Sequence, residues 1–139
     1  MRTGTCSVII LLLLIFSSCS HKPEEEKMVG NWKLYHAGFD SITLDPAFKA
    51  KAKKSLESSN FSFQHDKNFQ IADMSFSGGS YKGIWSYNAV NKQLTLFYPD
   101  LNIDPEVYDV IKLTRTRMIL HLRVKSMGFF EYRLKRLKE

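Results

Sequence analysis

The chain has 139 residues and a formal net charge of +6, and 44% of its residues are hydrophobic. After removal of any leader, this length and composition suit one domain with its own core. Basic residues are spread widely, apart from a cluster at residues 49–54 and the C-terminal tail. The favoured interpretation is that these basic residues simply lie on solvent-exposed faces of the domain. The alternative is that they attract anionic lipid or polysaccharide weakly.

The first 18 residues predict a secretion signal. Arg2 supplies a positive start, residues 8–16 form an unbroken apolar run, and the small residues Ser17 and Ser18 follow. An apolar run this short does not span a bilayer, which needs about 20 residues. We therefore expect residues 1–18 to be removed during export, and we expect no nucleic-acid partner for an exported protein.

Cys19 follows the two serines directly. A Cys after an apolar run and two small residues resembles the lipobox of bacterial lipoproteins. The resemblance implies that Cys19 is acylated, becomes the mature N-terminus and attaches the protein to a membrane through its lipid. A chance Cys after an ordinary signal peptide is the alternative. Ser20 is not the Asp of inner-membrane retention, so the outer membrane is favoured, on either its periplasmic or its surface face.

The other cysteine, Cys6, lies within the predicted signal. The mature chain would hold no thiol pair, so we expect no disulfide, no Cys-based metal site and no Cys nucleophile. Residues 19–27 are polar and predict a tether between the lipid and the domain. The domain is expected over residues 28–139.

The domain is predicted to begin with a strand at Trp32. Gly30 permits a tight entry of the chain, and Trp32 offers a large apolar plate that closes one end of a small barrel. A helix is predicted next, with Asp45 as N-cap, Pro46 at its first position and an end near Ser58. A narrow apolar stripe predicts that this helix packs over a barrel end, with membrane-surface binding as the alternative. The stripe consists of Phe48, Ala52 and Leu56.

From Asn60 onward, apolar residues recur at every second position, as in strands. Residues 73–80 are predicted as a loop, and Val110 is predicted on the face opposite Ile111 and Leu113. Successive hairpins predict an antiparallel meander, and closure removes its exposed edges. The fold class is therefore mainly β: an antiparallel up-and-down barrel of about eight strands, with one short helix after the first strand. Such a barrel either fills with side chains or holds one small ligand.

Four motifs in this order resemble the lipocalin-like lipoproteins of Bacteroidetes. They are Gly30-Asn31-Trp32, Phe61-Ser62-Phe63, Gly83-Ile84-Trp85 with Asn91-Lys92-Gln93-Leu94, and Ile111-Lys112-Leu113-Thr114. The resemblance covers residues 28–137 and implies a calycin-type barrel with Trp32 near its closed end. In lipocalins an Arg of the last strand commonly packs over that Trp, and Arg133 is the nearest candidate.

The sequence does not place catalytic side chains together. The histidines show no metal-ligand spacing, and they are His21, His36, His65 and His121. Asp104 and Glu106 flank Pro105 in a predicted loop, where turn chemistry and solubility explain both carboxylates. No nucleophile-elbow motif is present. We therefore expect no enzyme, no metal and no cofactor.

Aromatic residues are the best candidates for a binding site. Tyr81, Trp85 and Tyr87 share one face of a predicted strand. Further aromatic residues lie on the predicted neighbouring strands, namely Phe61, Phe63, Phe69 and Tyr98. A filled core is one interpretation of this cluster. The other is an apolar pocket with phenol groups at its rim, suited to a small apolar ligand.

Two functional hypotheses follow. The first is a lipid-anchored, monomeric and non-enzymatic barrel that binds or carries a small hydrophobic ligand at the cell envelope. The second is a module with a solid core that binds an envelope protein or a glycan through its loops and its basic helix.

Overall fold

The computed structural model describes residues 23–39, 43–74, 79–125 and 128–139. Its strands are β1 (Gly30–Gly38), β2 (Asn60–Phe63), β3 (Asn68–Met74), β4 (Gly79–Asn88), β5 (Gln93–Phe97), β6 (Glu106–Leu113), β7 (Arg117–Val124) and β8 (Gly128–Arg136). Each strand pairs antiparallel with the next, and β1 pairs antiparallel with β8, so the sheet closes into an eight-stranded barrel. The predicted fold class is confirmed.

The core is the interior of this barrel, and strand alternation explains which residues fill it. Trp85 of β4 lies directly opposite Leu96 of β5, and both are at most 1% exposed. Leu120 of β7 lies opposite Tyr132 of β8, and both are buried. The loop predicted for residues 73–80 is shorter than expected, because β3 continues to Met74 and β4 begins at Gly79. Residues 75–78 lie outside the described part of the chain.

A β-bulge corrects one predicted strand face. The pairing of β6 with β7 changes register between Val110 and Lys112. Ile111 and Lys112 are consequently both exposed, and Leu113 packs against the core on the same side as Val110. The prediction that Leu113 faces away from Val110 is wrong, because a bulge adds a residue that strict alternation does not anticipate.

One α-helix, α1 (Pro46–Leu56), is found among the described residues, and it lies between β1 and β2. Asp45 caps it as predicted, since its carboxylate accepts a hydrogen bond from the Phe48 amide at 3.1 Å. Ala52 and Leu56 pack against the core, whereas Phe48 is 47% exposed. The apolar stripe therefore covers the barrel only with the C-terminal half of α1, and the helix ends two residues before the predicted end at Ser58.

Trp32 and Arg136 close one end of the barrel, called the closed end below. Trp32 is fully buried, and its indole N–H donates to the Met28 carbonyl at 2.8 Å. The guanidinium of Arg136 lies 4.3 Å from the centre of the Trp32 ring. The same group donates to the backbone carbonyls of Lys27, Val29 and Arg115. One cation therefore connects two chain segments, the stretch before β1 and the turn between β6 and β7, to the end of β8 over the indole.

Arg136 takes the position that the family resemblance assigned to Arg133. The side chain of Arg133 is exposed and donates to Glu131 at 2.6 Å. Arg133 lies between the inward-facing residues Tyr132 and Leu134 of β8 and therefore points outward. Arg136 lies two residues after Leu134, on the inward-facing side, at the end of the strand. Gly30 supports the arrangement with a φ of 135°, and a Cβ at this position would collide with the Arg136 guanidinium.

The segment before β1 also packs on the closed end. Residues Glu24–Lys27 form one 3₁₀ turn. Glu24 forms an ion pair with Lys92, and Glu25 forms one with Lys67. This part of the predicted tether is thus fastened to the barrel. The predicted signal of residues 1–18 and the predicted lipidation site Cys19 lie outside the described residues.

Candidate functional site

The end of the barrel opposite Trp32 opens into a cavity of about 470 Å³. Phe61 of β2 and Ile71 of β3 form buried apolar walls, and the side chain of Leu56 on α1 also lines the cavity. Leu101 and Ile103, in the connection between β5 and β6, lie at the rim and are 40% and 50% exposed. The position of α1 at this end follows from chain order, because the helix connects the end of β1 to the start of β2.

A tyrosine–glutamate cluster supplies the polar groups of the cavity, and its members are Tyr81, Tyr98, Glu106, Tyr108 and Tyr132. The hydroxyls of Tyr98 and Tyr108 each donate to Oε2 of Glu106 at 2.8 Å. The rings of Tyr81 and Tyr98 meet edge to face at 6.3 Å, and those of Tyr108 and Tyr132 lie 5.9 Å apart. Two phenols therefore bind the carboxylate directly, and each of these two packs against a further tyrosine ring.

Burial raises the pKa of three of these phenols, those of Tyr98, Tyr108 and Tyr132. Loss of solvation raises the pKa of Tyr98 well above its ordinary value, and the nearby Glu106 carboxylate raises it further. Burial also raises the pKa of Tyr108 and of Tyr132, in both cases as the main cause. At neutral pH these side chains are uncharged rings, and their hydroxyls can donate to a carboxylate.

Three of the seven aromatic residues predicted to form a pocket line this cavity, namely Phe61, Tyr81 and Tyr98. The other four do not. Phe63, Phe69 and Trp85 are at most 2% exposed and belong to the closed half of the barrel, where Phe63 meets Trp85 edge to face at 5.6 Å. Tyr87 is partly buried and packs against the same core. Side chains therefore fill the half of the barrel near Trp32, and the cavity occupies the opposite, open half.

Sequence reasoning missed Glu106, Tyr108 and Tyr132 as site residues. The sequence predicts a loop at Glu106, next to Pro105, whereas β6 begins at Glu106 itself. Glu106 pairs across the sheet with Leu96, which is fully buried, so both side chains face the interior. The available signal was the spacing of Glu106, Tyr108 and Val110, which places a carboxylate and a phenol on one inward strand face.

Other polar groups form no second centre in the described ranges. No group of three or more His, Cys, Asp or Glu side chains there could hold a metal ion. His121 lies on the outer face, where it contacts Glu131 at 2.9 Å and stacks on Phe129 at 4.3 Å. Among the residues with described placement, no helix has the length and apolar character needed to cross a membrane.

Three solved structures from Bacteroides share this architecture. A lipocalin-like protein from Bacteroides uniformis is 14% identical with a TM-score of 0.54, and the match covers 80% of this chain and 99% of that protein. An uncharacterized protein from Bacteroides eggerthii is 15% identical, with a TM-score of 0.52 and coverage of 78% and 98%. A DUF4847 family protein from Bacteroides vulgatus is 12% identical, with a TM-score of 0.51 and coverage of 84% and 98%.

The sequence matches no protein-family model and no curated protein. Structural similarity at this level of identity is evidence about the fold. The antiparallel barrel of eight strands, closed between β1 and β8, agrees with it. The chain therefore has the lipocalin-like fold found in these Bacteroides proteins.

Proposed function

We propose that the protein is a non-enzymatic binding protein that holds one small, mainly apolar ligand in the cavity at the open end of the barrel. The observation that carries the proposal is the cavity of about 470 Å³, whose described lining residues supply aliphatic and aromatic walls and one carboxylate. Small-molecule sites typically have about 300–1,000 Å³ and a few fixed polar groups among apolar walls. This combination favours ligand binding over a module whose core is solid throughout.

A substitution at the rim tests this proposal. Replacing Ile103 with Trp should narrow the mouth without disturbing the core, because Ile103 is half-exposed. We expect the variant to bind the neutral fluorophore N-phenyl-1-naphthylamine about tenfold more weakly, as a steric misfit costs about 1–3 kcal/mol. Fluorescence titration measures the affinity.

Val90→Trp provides the matched control. Val90 is 95% exposed in the turn between β4 and β5, on the closed-end side of the barrel. This variant should bind the fluorophore like the wild type. Equal loss of binding in both variants, or no loss in Ile103→Trp, would contradict ligand binding at the mouth.

We also propose that Cys19 carries the lipid that attaches the barrel to the outer membrane. Incorporation of an alkyne-labelled fatty acid tests the site directly. We expect the wild type and Cys6→Ala to be labelled and Cys19→Ala to lose all label. A labelled Cys19→Ala protein would place the modification elsewhere, and an unlabelled wild type would remove the anchor from the proposal.

The anchor would orient the cavity. The chain from Cys19 to Pro23 spans at most about 14 Å when fully extended. Residues Glu24–Lys27 are held on the closed end by Lys67 and Lys92. A lipid on Cys19 would therefore keep the closed end next to the membrane and direct the mouth of the cavity away from it.

A further inference from the structure

We infer that the cavity selects ligands that present a protonated amine on an apolar body. This inference rests on the proposed function and specifies the chemical class of its ligand. Glu106 is the only charged side chain among the described residues that line the cavity, and none of those lining residues is basic. From these described residues a bound ammonium group would therefore meet one opposite charge and no like charge.

The hydrogen bonds of Glu106 leave it able to accept further donors. Tyr98 and Tyr108 both donate to the same oxygen, Oε2. No hydrogen bond reaches Oε1 from the described residues, and a carboxylate can accept about four hydrogen bonds in total. The two phenols also fix the orientation of the carboxylate, because they approach from the end of β5 and from β6. An ammonium group has three donors and suits such an acceptor.

The four rings of the tyrosine–glutamate cluster strengthen this preference. The face of an aromatic ring carries negative potential and attracts a cation within about 6 Å of the ring centre. Tyr81 and Tyr98 form one wall of the cavity, and Tyr108 and Tyr132 form another. Among the described lining residues only Glu106 carries a charge, so these aromatic walls would place ring surfaces, and no like charge, around a bound cation.

The same arrangement disfavours anionic ligands. A fatty acid whose carboxylate entered the cavity would meet the Glu106 carboxylate without a basic partner among the described lining residues. Like charges in a partly buried site repel strongly. A fatty acid is therefore a poor candidate, although its chain would suit the apolar walls. A neutral alcohol of the same shape should bind with intermediate affinity.

A matched series of three ligands tests the inference: phenethylamine, phenethyl alcohol and 3-phenylpropionate share a ring and a short chain and differ in the polar group. Displacement of N-phenyl-1-naphthylamine at pH 7 gives their affinities. We expect the amine to bind roughly tenfold more tightly than the alcohol, because a hydrogen bond between charged groups stabilises the complex by about that factor. We expect the carboxylate to bind most weakly.

Glu106→Gln keeps the shape of the side chain and removes its charge. This variant should lose the tenfold advantage of the amine and bind the alcohol as the wild type does, which also verifies that the cavity is intact. Asp104→Asn is the control, because Asp104 is exposed nearby and the change in net charge is the same. Its affinities should equal those of the wild type.

The outcomes separate the inference from the proposed function. If the wild type binds the alcohol or the carboxylate as tightly as the amine, the inference is wrong and ligand binding stands. If the fluorophore and all three ligands fail to bind, both are wrong. Retention of the amine advantage in Glu106→Gln would also overturn the inference. If that variant does not fold, the affinities of the wild type for the three ligands still test the preference for the amine.

Discussion

Replacing Trp32 with Ala is expected to lower the free energy of unfolding by about 3–5 kcal/mol, as for other large buried side chains. The substitution removes a fully buried ring, the hydrogen bond from the indole to Met28 and the surface on which Arg136 stacks. Domains of this size have about 5–15 kcal/mol in total. Urea denaturation followed by circular dichroism measures the loss.

Phe48→Ala is the control for this prediction. Phe48 lies on α1 and is 47% exposed, so removal of its ring leaves no cavity in the core. We expect a change of less than about 1 kcal/mol. Similar losses in the two variants would mean that the closed end does not depend on the indole, and the structural role assigned to Trp32 would be wrong.

Gly83→Ala should be nearly as damaging, although it adds only one methyl group. A Cβ at Gly83 would overlap the backbone carbonyl of Phe97 on β5 and would lie 2.7 Å from Cε1 of Phe69. The carbonyl cannot move freely, because Phe97 pairs with Ile84 in the barrel. We expect a loss of about 2–3 kcal/mol, which lowers the melting temperature by roughly 10 °C.

Gly79→Ala is the matched control on the same strand. No atom lies within 4 Å of the Cβ position at Gly79. Differential scanning calorimetry of the two variants should therefore give a melting temperature near that of the wild type for Gly79→Ala only. Equal melting temperatures for both variants would show that the close approach of β4 and β5 at Gly83 does not limit the packing.

The barrel itself was predictable because alternation and short turns are local properties of the sequence. Trp85, Leu96 and Leu120 face inward as their spacing indicates. The prediction of Arg133 as the arginine over Trp32 is wrong, because the family resemblance indicates which strand carries this arginine and not which residue of the strand it is. The parity of β8 excludes Arg133 and allows Arg136, so the alternation already carried the correct answer.

The cavity was not predictable to the same degree, since it depends on where in the barrel each inward ring lies. Trp85 and Tyr81 share one face of β4, but Trp85 fills the closed half and Tyr81 lines the open half. Glu106 could be predicted as a cavity residue only if β6 was known to begin directly after Pro105. The bulge at Ile111 depends on pairing with β7 and has no local signal that distinguishes it.

The proposed function requires a barrel that is solid at Trp32 and open to a ligand at the tyrosine–glutamate cluster. Backbone and indole N–H chemical shifts recorded during titration with N-phenyl-1-naphthylamine distinguish the two ends of the barrel. We expect large shifts at Tyr81, Tyr98 and Glu106 and unchanged indole signals from Trp32 and Trp85. Shifts concentrated at the two indoles or on the outer face, or no shifts at a saturating concentration, would show that the open end of the barrel does not bind the ligand.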